Sequence, residues 1–338
     1  MALAQSPGIR EAIVRSPATT SVAVVIVNFC QWRNTERLVR QLRRSILMRD
    51  REAAIAIVDN ASPYDPAVER LKRFADTRIV ANARNVGFAA AVNRGAELFA
   101  SDWILLLNPD VSVPDGFLDD ARAAIDRADR DDPSIGAIGF RLVDASGAPQ
   151  ASAGPFPTFA STVLGLLRPR ASRKCRHYAT NGPRKVDWAT GGCLFVRRDC
   201  FRDAGGLDER YFLYYEDVDF CRNARAAGYT VRYDPSVTAT HHSPLHGRHV
   251  PAAMRLVTRQ ALLAYADRHW SAWERRWLKR IVRLEAFTRR GQARIYGRHE
   301  DAELYRRLGE LANQPTLDRV REAAELLRSV SASHDLPS

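Results

Sequence analysis

Residues Val22–Phe29 read VAVVIVNF, six apolar and mostly β-branched residues in a row, followed by Asn28. A strand covered on both faces reads this way, because it has no polar face to show. Working outward, Leu38, Val39, Leu42, Ile46 and Leu47 fall at helical spacing and predict a helix over Thr35–Met48. A second buried strand is expected over Ala54–Val58, a helix after Pro63, a short strand near Ile79, a helix over Phe88–Phe99 and a strand over Trp103–Leu107. Strand alternating with helix predicts an α/β fold with a mostly parallel sheet flanked by helices. Asp144–Arg184 is rich in Pro, Gly, Ser and Arg and reads as loops. Val186–Val196 reads as a strand, Asp217–Ala227 as a helix, the stretch up to Thr240 as strands, and the chain from Ala252 onward as helical. The expected organisation is a mobile lead-in over 1–20, one α/β domain over 21–250 and a basic helical region over 251–338.

The chain has 338 residues, 46% of them apolar, enough for a sizeable core. Lys and Arg outnumber Asp and Glu by 51 to 39, giving a net charge of +12. That charge attracts phosphate esters, nucleic acid or an anionic membrane face. A nucleic-acid-binding protein concentrates its cations on one element. Here they are spread among acids, so no specific nucleic-acid partner is expected. Five cysteines with no CxxC pattern fit free thiols in a reducing compartment. No run approaches the roughly 20 apolar residues needed to cross a bilayer. The expected location is cytoplasmic, with any membrane contact peripheral. After the first strand comes NFCQWRN, which is not the GxGxxG of a dinucleotide site, and no P-loop occurs.

The strand ends carry the polar signal. The first ends in Val27-Asn28-Phe29 and the second in Asp59-Asn60-Ala61-Ser62. The third leads to Arg84-Asn85-Val86-Gly87-Phe88 and then Asn93, and the fourth ends in Asn108-Pro109-Asp110-Val111. Any one alone is an ordinary cap or turn. Four on the carboxyl edge of a parallel sheet mark a ligand crevice.

With VVIVNF, IVDNAS, NVGFAAAVNRG, LLLNPDV, DWATGGCLFVRR, GGLDERYFLYYEDVDFCRNARAAGY and ATHHS in this order, the chain resembles the family 2 inverting glycosyltransferases of GT-A fold. Within them it is similar to the rhamnosyltransferase-like group. The resemblance runs from about residue 22 to 243. It implies a nucleoside-diphosphate-sugar donor, a glycan or polyprenyl-diphosphate-linked acceptor, and Mn²⁺ or Mg²⁺. The donor could carry rhamnose on dTDP, the first choice, or be a UDP-hexose or GDP-sugar.

A departing diphosphate accumulates negative charge, and a divalent cation on hard oxygen ligands neutralises it. The resemblance assigns that cation to Asp110 and His241. Many GT-A enzymes have Asp-x-Asp where this chain has Asn108-Pro109-Asp110, so one carboxylate fewer should make metal occupancy depend on substrate. His242 neighbours His241, and on a strand the two point to opposite faces. His246 and His249 follow, but Pro244 and Gly247 interrupt any zinc-like array. Inverting transfer needs a base for the acceptor hydroxyl. The resemblance assigns it to Asp217, with Glu216 beside it and Asp219 as a helix-start charge. It places Asp59 on the base or ribose, with Asn28, Arg84, Asn85, Gly87, Asn93 and Asn108 completing the nucleotide-sugar site. Trp188, Gly191 and Gly192 line the donor and acceptor cleft, although Trp188 also reads as a core aromatic.

Residues 268–298 run RHWSAWERRWLKRIVRLEAFTRRGQARIYGR. Trp270, Trp273, Trp277, Ile281 and Leu284 keep spacings of three and four, with Arg275, Arg276, Lys279, Arg280 and Arg283 between them. This is the composition of a helix on an anionic membrane surface. A helix packed against the domain reads the same way.

Overall fold

A computed structural model of the chain describes residues 20–166, 182–242, 252–315, 321–322 and 325–326. The expected lead-in over residues 1–19, part of the expected loop region (167–181), and His246 and His249 lie outside them. The first half runs β1 (Thr20–Asn28), α1 (Trp32–Leu42), α2 (Ile46–Arg49), β2 (Ala53–Asp59), α3 (Ala67–Leu71), β3 (Thr77–Ala81), α4 (Phe88–Ala96), β4 (Ser101–Leu107) and β5 (Val111–Ser112). Then come α5 (Phe117–Asp131), β6 (Ile135–Val143), β7 (Pro149–Gln150), β8 (Ala153–Gly154), α6 (Phe159–Leu166), β9 (Arg184–Val186), β10 (Trp188–Ala189) and β11 (Cys193–Arg197). The chain continues through α7 (Arg198–Asp203), α8 (Glu216–Ala226), β12 (Thr230–His241), α9 (Ala252–His269), α10 (Ala272–Ile295) and α11 (His299–Leu311).

Among the described residues one sheet has the order β3-β2-β1-β4-β11-β6-β12-β5, with β7 on β6 and β9 on β12. Strands β3, β2, β1 and β4 are mutually parallel, β6 and β12 are parallel, and β11 runs antiparallel between the two groups. The chain turns from β1 towards β2 on one side and β4 on the other, the reversal at which open sheets form a crevice. Strand β1 shows why it is apolar throughout. Val22, Val24 and Ile26 pack with Leu38, Leu42, Phe117 and Ile125 on one face. Val25 and Val27 face the other way, in a cluster with Ala91 and Val92 of α4.

The stretch read as loops holds β7, β8 and helix α6, and β6 was not read as a strand. Three further elements differ from expectation. The helix predicted over Thr35–Met48 is two helices. Asp119 from α5 accepts hydrogen bonds from the amides of Ile46 (2.9 Å) and Leu47 (3.0 Å), which caps a new start there. The strand predicted over Val186–Val196 is three short strands with different partners: β9 on β12, β10 on β8, and β11 between β4 and β6. Thr190-Gly191-Gly192 breaks it, and the Thr190 amide donates to Ser152 O (2.8 Å). The basic run 268–298 is not one helix face. A capping box at Ser271 and Glu274 starts α10, leaving Trp270 outside it. Trp270 is buried, with its indole N–H on Pro157 O (3.2 Å), while Trp273 and Trp277 are exposed.

The core continues beyond residue 250. Leu256, Leu262, Leu263 and Tyr265 of α9 share a hydrophobic cluster with Phe220 of α8. Asp219, expected as a simple helix-start charge, is buried and joins these helices. It accepts from His269 (2.5 Å), Tyr211 (3.0 Å) and Asn223 (3.0 Å). Burial, and then the neighbouring Asp219, push the Tyr211 phenol far above its usual range, so it stays a donor.

Helix α4 lies close on β1 and β2 because Gly95 has no side chain. A Cβ there would come within 2.6 Å of Val25 Cγ1 and 3.0 Å of Val58 Cγ2. Gly95→Ala should therefore destabilise the fold by about 1–3 kcal/mol through overpacking. A urea titration should show a lower midpoint, and an unchanged midpoint would mean the helix has room to move.

Candidate functional site

The carboxyl ends of β1, β2 and β4 meet the last residues of β12 along one edge. Strand β12 pairs antiparallel with β5, setting His241 opposite Val111 and Thr240 opposite Ser112. The His242 amide donates to Asp110 O (3.0 Å). This register brings His241 Nε2 to 3.3 Å from Asp110 Oδ2. His242 points elsewhere, with its ring on Ser112 Oγ (2.7 Å), as alternation along a strand requires.

Gln150, a residue with no role in the sequence reading, sets the ring of His241. Its Nε2 donates to His241 O (2.7 Å), which leaves its Oε1 at His241 Nδ1 (3.0 Å). An amide oxygen only accepts, so when the ring is neutral Nδ1 carries its proton and Nε2 turns a lone pair to Asp110. Two acceptors then face each other across 3.3 Å. Two ligands about 2 Å from one ion, at a near-right angle, lie about 3 Å apart. The pair thus fits a shared divalent cation. No group of three or more His, Cys, Asp or Glu among the described residues could hold a metal by itself. Further ligands would have to be phosphate oxygens and water, as Mg²⁺ commonly takes them.

Asp59 is held from below. Its Oδ1 accepts from buried Asn28 Nδ2 (2.8 Å) and Ser62 Oγ (2.5 Å), and its Oδ2 from the Ser62 amide (3.0 Å). Asn28 in turn accepts from Thr35 Oγ1 (2.8 Å), so it supports Asp59 from within the protein. Asn60 Nδ2 donates to Gly87 O (3.0 Å) and Asn85 Oδ1 accepts from the Gly87 amide (3.0 Å). Gly87 has φ +92°, and a Cβ there would sit 2.7 Å from Phe212 O. The Phe88 amide also bonds Phe212 O (2.8 Å). The nucleotide-side loop and the loop leading to the acidic run are therefore in backbone contact.

That second loop reaches α8 through Tyr214 (φ 74°) and Tyr215 (φ 71°), two left-handed non-glycine residues in a row. Each costs about 1–2 kcal/mol. Packing offsets this: both Phe212 and Tyr215 are buried, with the Tyr215 ring 5.4 Å from that of Tyr265. The turn delivers Glu216 and Asp217 as the first residues of α8. Glu216 is buried and Asp217 half-buried, so Asp217 is the more accessible carboxylate. Asp217 Oδ2 accepts from the Gly191 amide (3.0 Å) and Oδ1 from the Val218 amide (2.8 Å). One residue on, Gly192 O accepts from the Asn108 amide (3.1 Å). The Gly191-Gly192 loop thus ties the Asp217 carboxylate to the Asn108–Asp110 turn.

Three expected site residues take no part in the hydrogen bonds just described. Trp188 is buried in the core, with its indole N–H on Pro155 O (2.9 Å). Asn93 in α4 clamps the backbone of Leu207, donating to its carbonyl (2.8 Å) and accepting from its amide (2.9 Å). Arg84 is exposed on the turn after β3. Sequence reasoning missed Gln150, Thr35, Ser62 and Phe212. Ser62 had a signal, as the last residue of the Asp59-Asn60-Ala61-Ser62 strand end, and Phe212 lies within the quoted GGLDERYFLYYEDVDF stretch without a role read for it.

Comparisons with known proteins bear on the family and the fold. Residues 21–203 match the family described as glycosyl transferase family 2. The N-acetylglucosaminyl-diphospho-decaprenol L-rhamnosyltransferase of Mycobacterium tuberculosis H37Rv is 31% identical over 276 residues, covering 75% of this chain and 87% of that one. Rhamnosyltransferase WbbL of Escherichia coli K12 is 24% identical over 172 residues, 48% of this chain and 64% of that one. The mannosyltransferase PcManGT of Pyrobaculum calidifontis, solved with GDP-Man and Mn²⁺, superposes with TM-score 0.50 at 17% identity, covering 95% of this chain and 78% of that one. GalNAc-T7, solved with UDP, GalNAc and Mn²⁺, superposes with TM-score 0.55 at 17% identity, covering 95% and 59%. The fold is of GT-A type, and the chain belongs to glycosyltransferase family 2.

Proposed function

We propose that this protein transfers a sugar, best read as rhamnose, from a nucleoside-diphosphate donor to a lipid-linked glycan with inversion at the anomeric carbon. The observation that carries the reading is the pair of hydrogen bonds linking Asp217 through Gly191-Gly192 to the Asn108–Asp110 turn. This linkage supports a reading in which a carboxylate able to take a proton and a site suited to a diphosphate serve one reaction. The activities of the two rhamnosyltransferase relatives support the sugar, and that of the mycobacterial one supports a polyprenyl-diphosphate acceptor.

Asp217 takes the proton of the acceptor hydroxyl as that oxygen forms its bond to the anomeric carbon. The bond from that carbon to the diphosphate oxygen breaks in the same step, and its electron pair leaves with the diphosphate. Amide donors from Gly191 and Val218 hold the carboxylate in one orientation. Asp110 and His241 would hold Mn²⁺ or Mg²⁺, which when bound neutralises charge on the leaving group. Gln150 keeps the Nε2 lone pair of His241 turned to that position. Asp59, steadied by Asn28 and Ser62, lies at the β2 end suited to the nucleoside.

Asp217→Asn keeps shape and removes basicity, so transfer should fall by about 10²–10⁴ with donor binding nearly intact. Glu216→Gln should act more on acceptor KM. Steady-state kinetics at saturating donor and varied acceptor separate the two. An active Asp217→Asn beside a dead Glu216→Gln moves the base by one residue, and two active variants place it elsewhere. Product NMR should show the inverted anomer, and retention would exclude a single displacement.

Asp110→Ala should abolish stimulation of turnover by Mn²⁺ and weaken nucleoside-diphosphate binding in its presence. Wild-type turnover in this variant with metal present would remove Asp110 from the role.

A further inference from the structure

Helix α10 has two apolar faces. Leu278, Val282, Ala286 and Ala293 are buried among the neighbouring helices. On the opposite side Trp273, Trp277, Leu284, Phe287 and Ile295 are 61%, 41%, 64%, 75% and 82% exposed. With Arg280, the first four follow i, i+4, i+7, i+11 and i+14, a single line along the helix. Isolated exposed apolar residues are ordinary, but a contiguous stripe of large ones marks a contact surface.

We infer that this outward face of α10 is a docking surface for an anionic lipid bilayer. Charge identifies the occupant. The exposed residues of α10 include four arginines, Arg276, Arg280, Arg283 and Arg294, and no carboxylate. The two acids of the helix are engaged elsewhere. Glu274 closes the capping box with Ser271, and Glu285 faces inward to Arg259 and Arg289. Apolar side chains flanked by guanidiniums match acyl chains below a layer of phosphate headgroups. The face repels itself, because pairing with a second copy would oppose arginine to arginine. Trp is at home at the headgroup level, with an apolar body and a polar edge. Arg280 lies over the Trp277 ring, 4.8 Å from its centroid, so cation and indole enter the interface together. Among the described residues no helix is long and apolar enough to cross a membrane, so contact made here is parallel to the surface.

The face also connects to the segment before the Gly191 loop. The Trp273 ring packs edge-on against Phe159 at 5.5 Å. Phe159 follows directly on the Pro155–Pro157 segment, whose carbonyls hold the indoles of Trp188 and Trp270. Trp188 lies three residues before Gly191, the amide donor to Asp217.

Vesicle co-sedimentation of the full chain, with no donor or acceptor present, tests the inference independently of the transfer reaction. Wild-type protein should pellet with phosphatidylglycerol-rich vesicles and stay in solution with pure phosphatidylcholine. Replacing Arg276, Arg280 and Arg283 by Gln should weaken partitioning by about 10²-fold, at about 1 kcal/mol per cation. High salt should mimic this change. Trp273→Ser with Trp277→Ser should also lose binding. Should that pair disturb packing on Phe159, seen as a lowered unfolding midpoint, Leu284→Ser with Phe287→Ser gives the same reading from side chains open to solvent. Wild-type protein that ignores the anionic vesicles at low salt overturns the inference, as does undiminished binding by folded variants. A lipid-free dimer lost with Trp273 and Trp277 would assign the face to a second copy.

Discussion

Two backbone pairings, His241 with Val111 and Thr240 with Ser112, carry the geometry on which the site depends. They join parts of the chain 130 residues apart and fix which of two adjacent histidines meets Asp110. A slip of one residue would turn His242 inward and His241 out, because side chains alternate along a strand. The register is held from both sides. β12 lies parallel to β6 through eight residue pairs with a bulge after Asp234, and Gln150 bridges the His241 ring and backbone.

The acidic end is built differently. No sheet holds Asp217. It hangs on a turn with two left-handed tyrosines, made tolerable by burial of Phe212 and Tyr215 and by the Asp219–His269 bond behind it. That buried link comes from α9, so the C-terminal helices are part of what positions the carboxylate. The same helical layer carries the basic aromatic face of α10. One piece of chain thus braces the catalytic turn and presents a surface to solvent.

Much of the architecture was readable because burial left unambiguous patterns. β1, β2 and β4 are covered on both faces and read as unbroken apolar runs. Strand β6 did not read as a strand because Gly136 and Gly139 interrupt it. Gly139 is there because a Cβ would meet that of Ala189 at 2.4 Å, a packing constraint from 50 residues away. The break before α10 had a local signal, Ser271 followed by Glu274, overridden by the wider spacing of Trp and Arg. Asp110 and His241 were legible only as residue types matched to a family pattern. Their approach to 3.3 Å is a matter of strand pairing. Gln150 had no legible role, since it lies in a Pro- and Gly-rich stretch that reads as loop and acts through tertiary contact alone.

In the proposed reading Asp110 and His241 are two metal ligands, and a diphosphate should complete the site. The direct measurement is Mn²⁺ titration of the full chain, followed by electron paramagnetic resonance of the free ion, with and without a nucleoside diphosphate. Weak binding alone, becoming tight and one-to-one with the diphosphate, is the expected result. Equally tight binding without diphosphate, or diphosphate that leaves Mn²⁺ free in solution, would contradict a metal shared between Asp110, His241 and the leaving group.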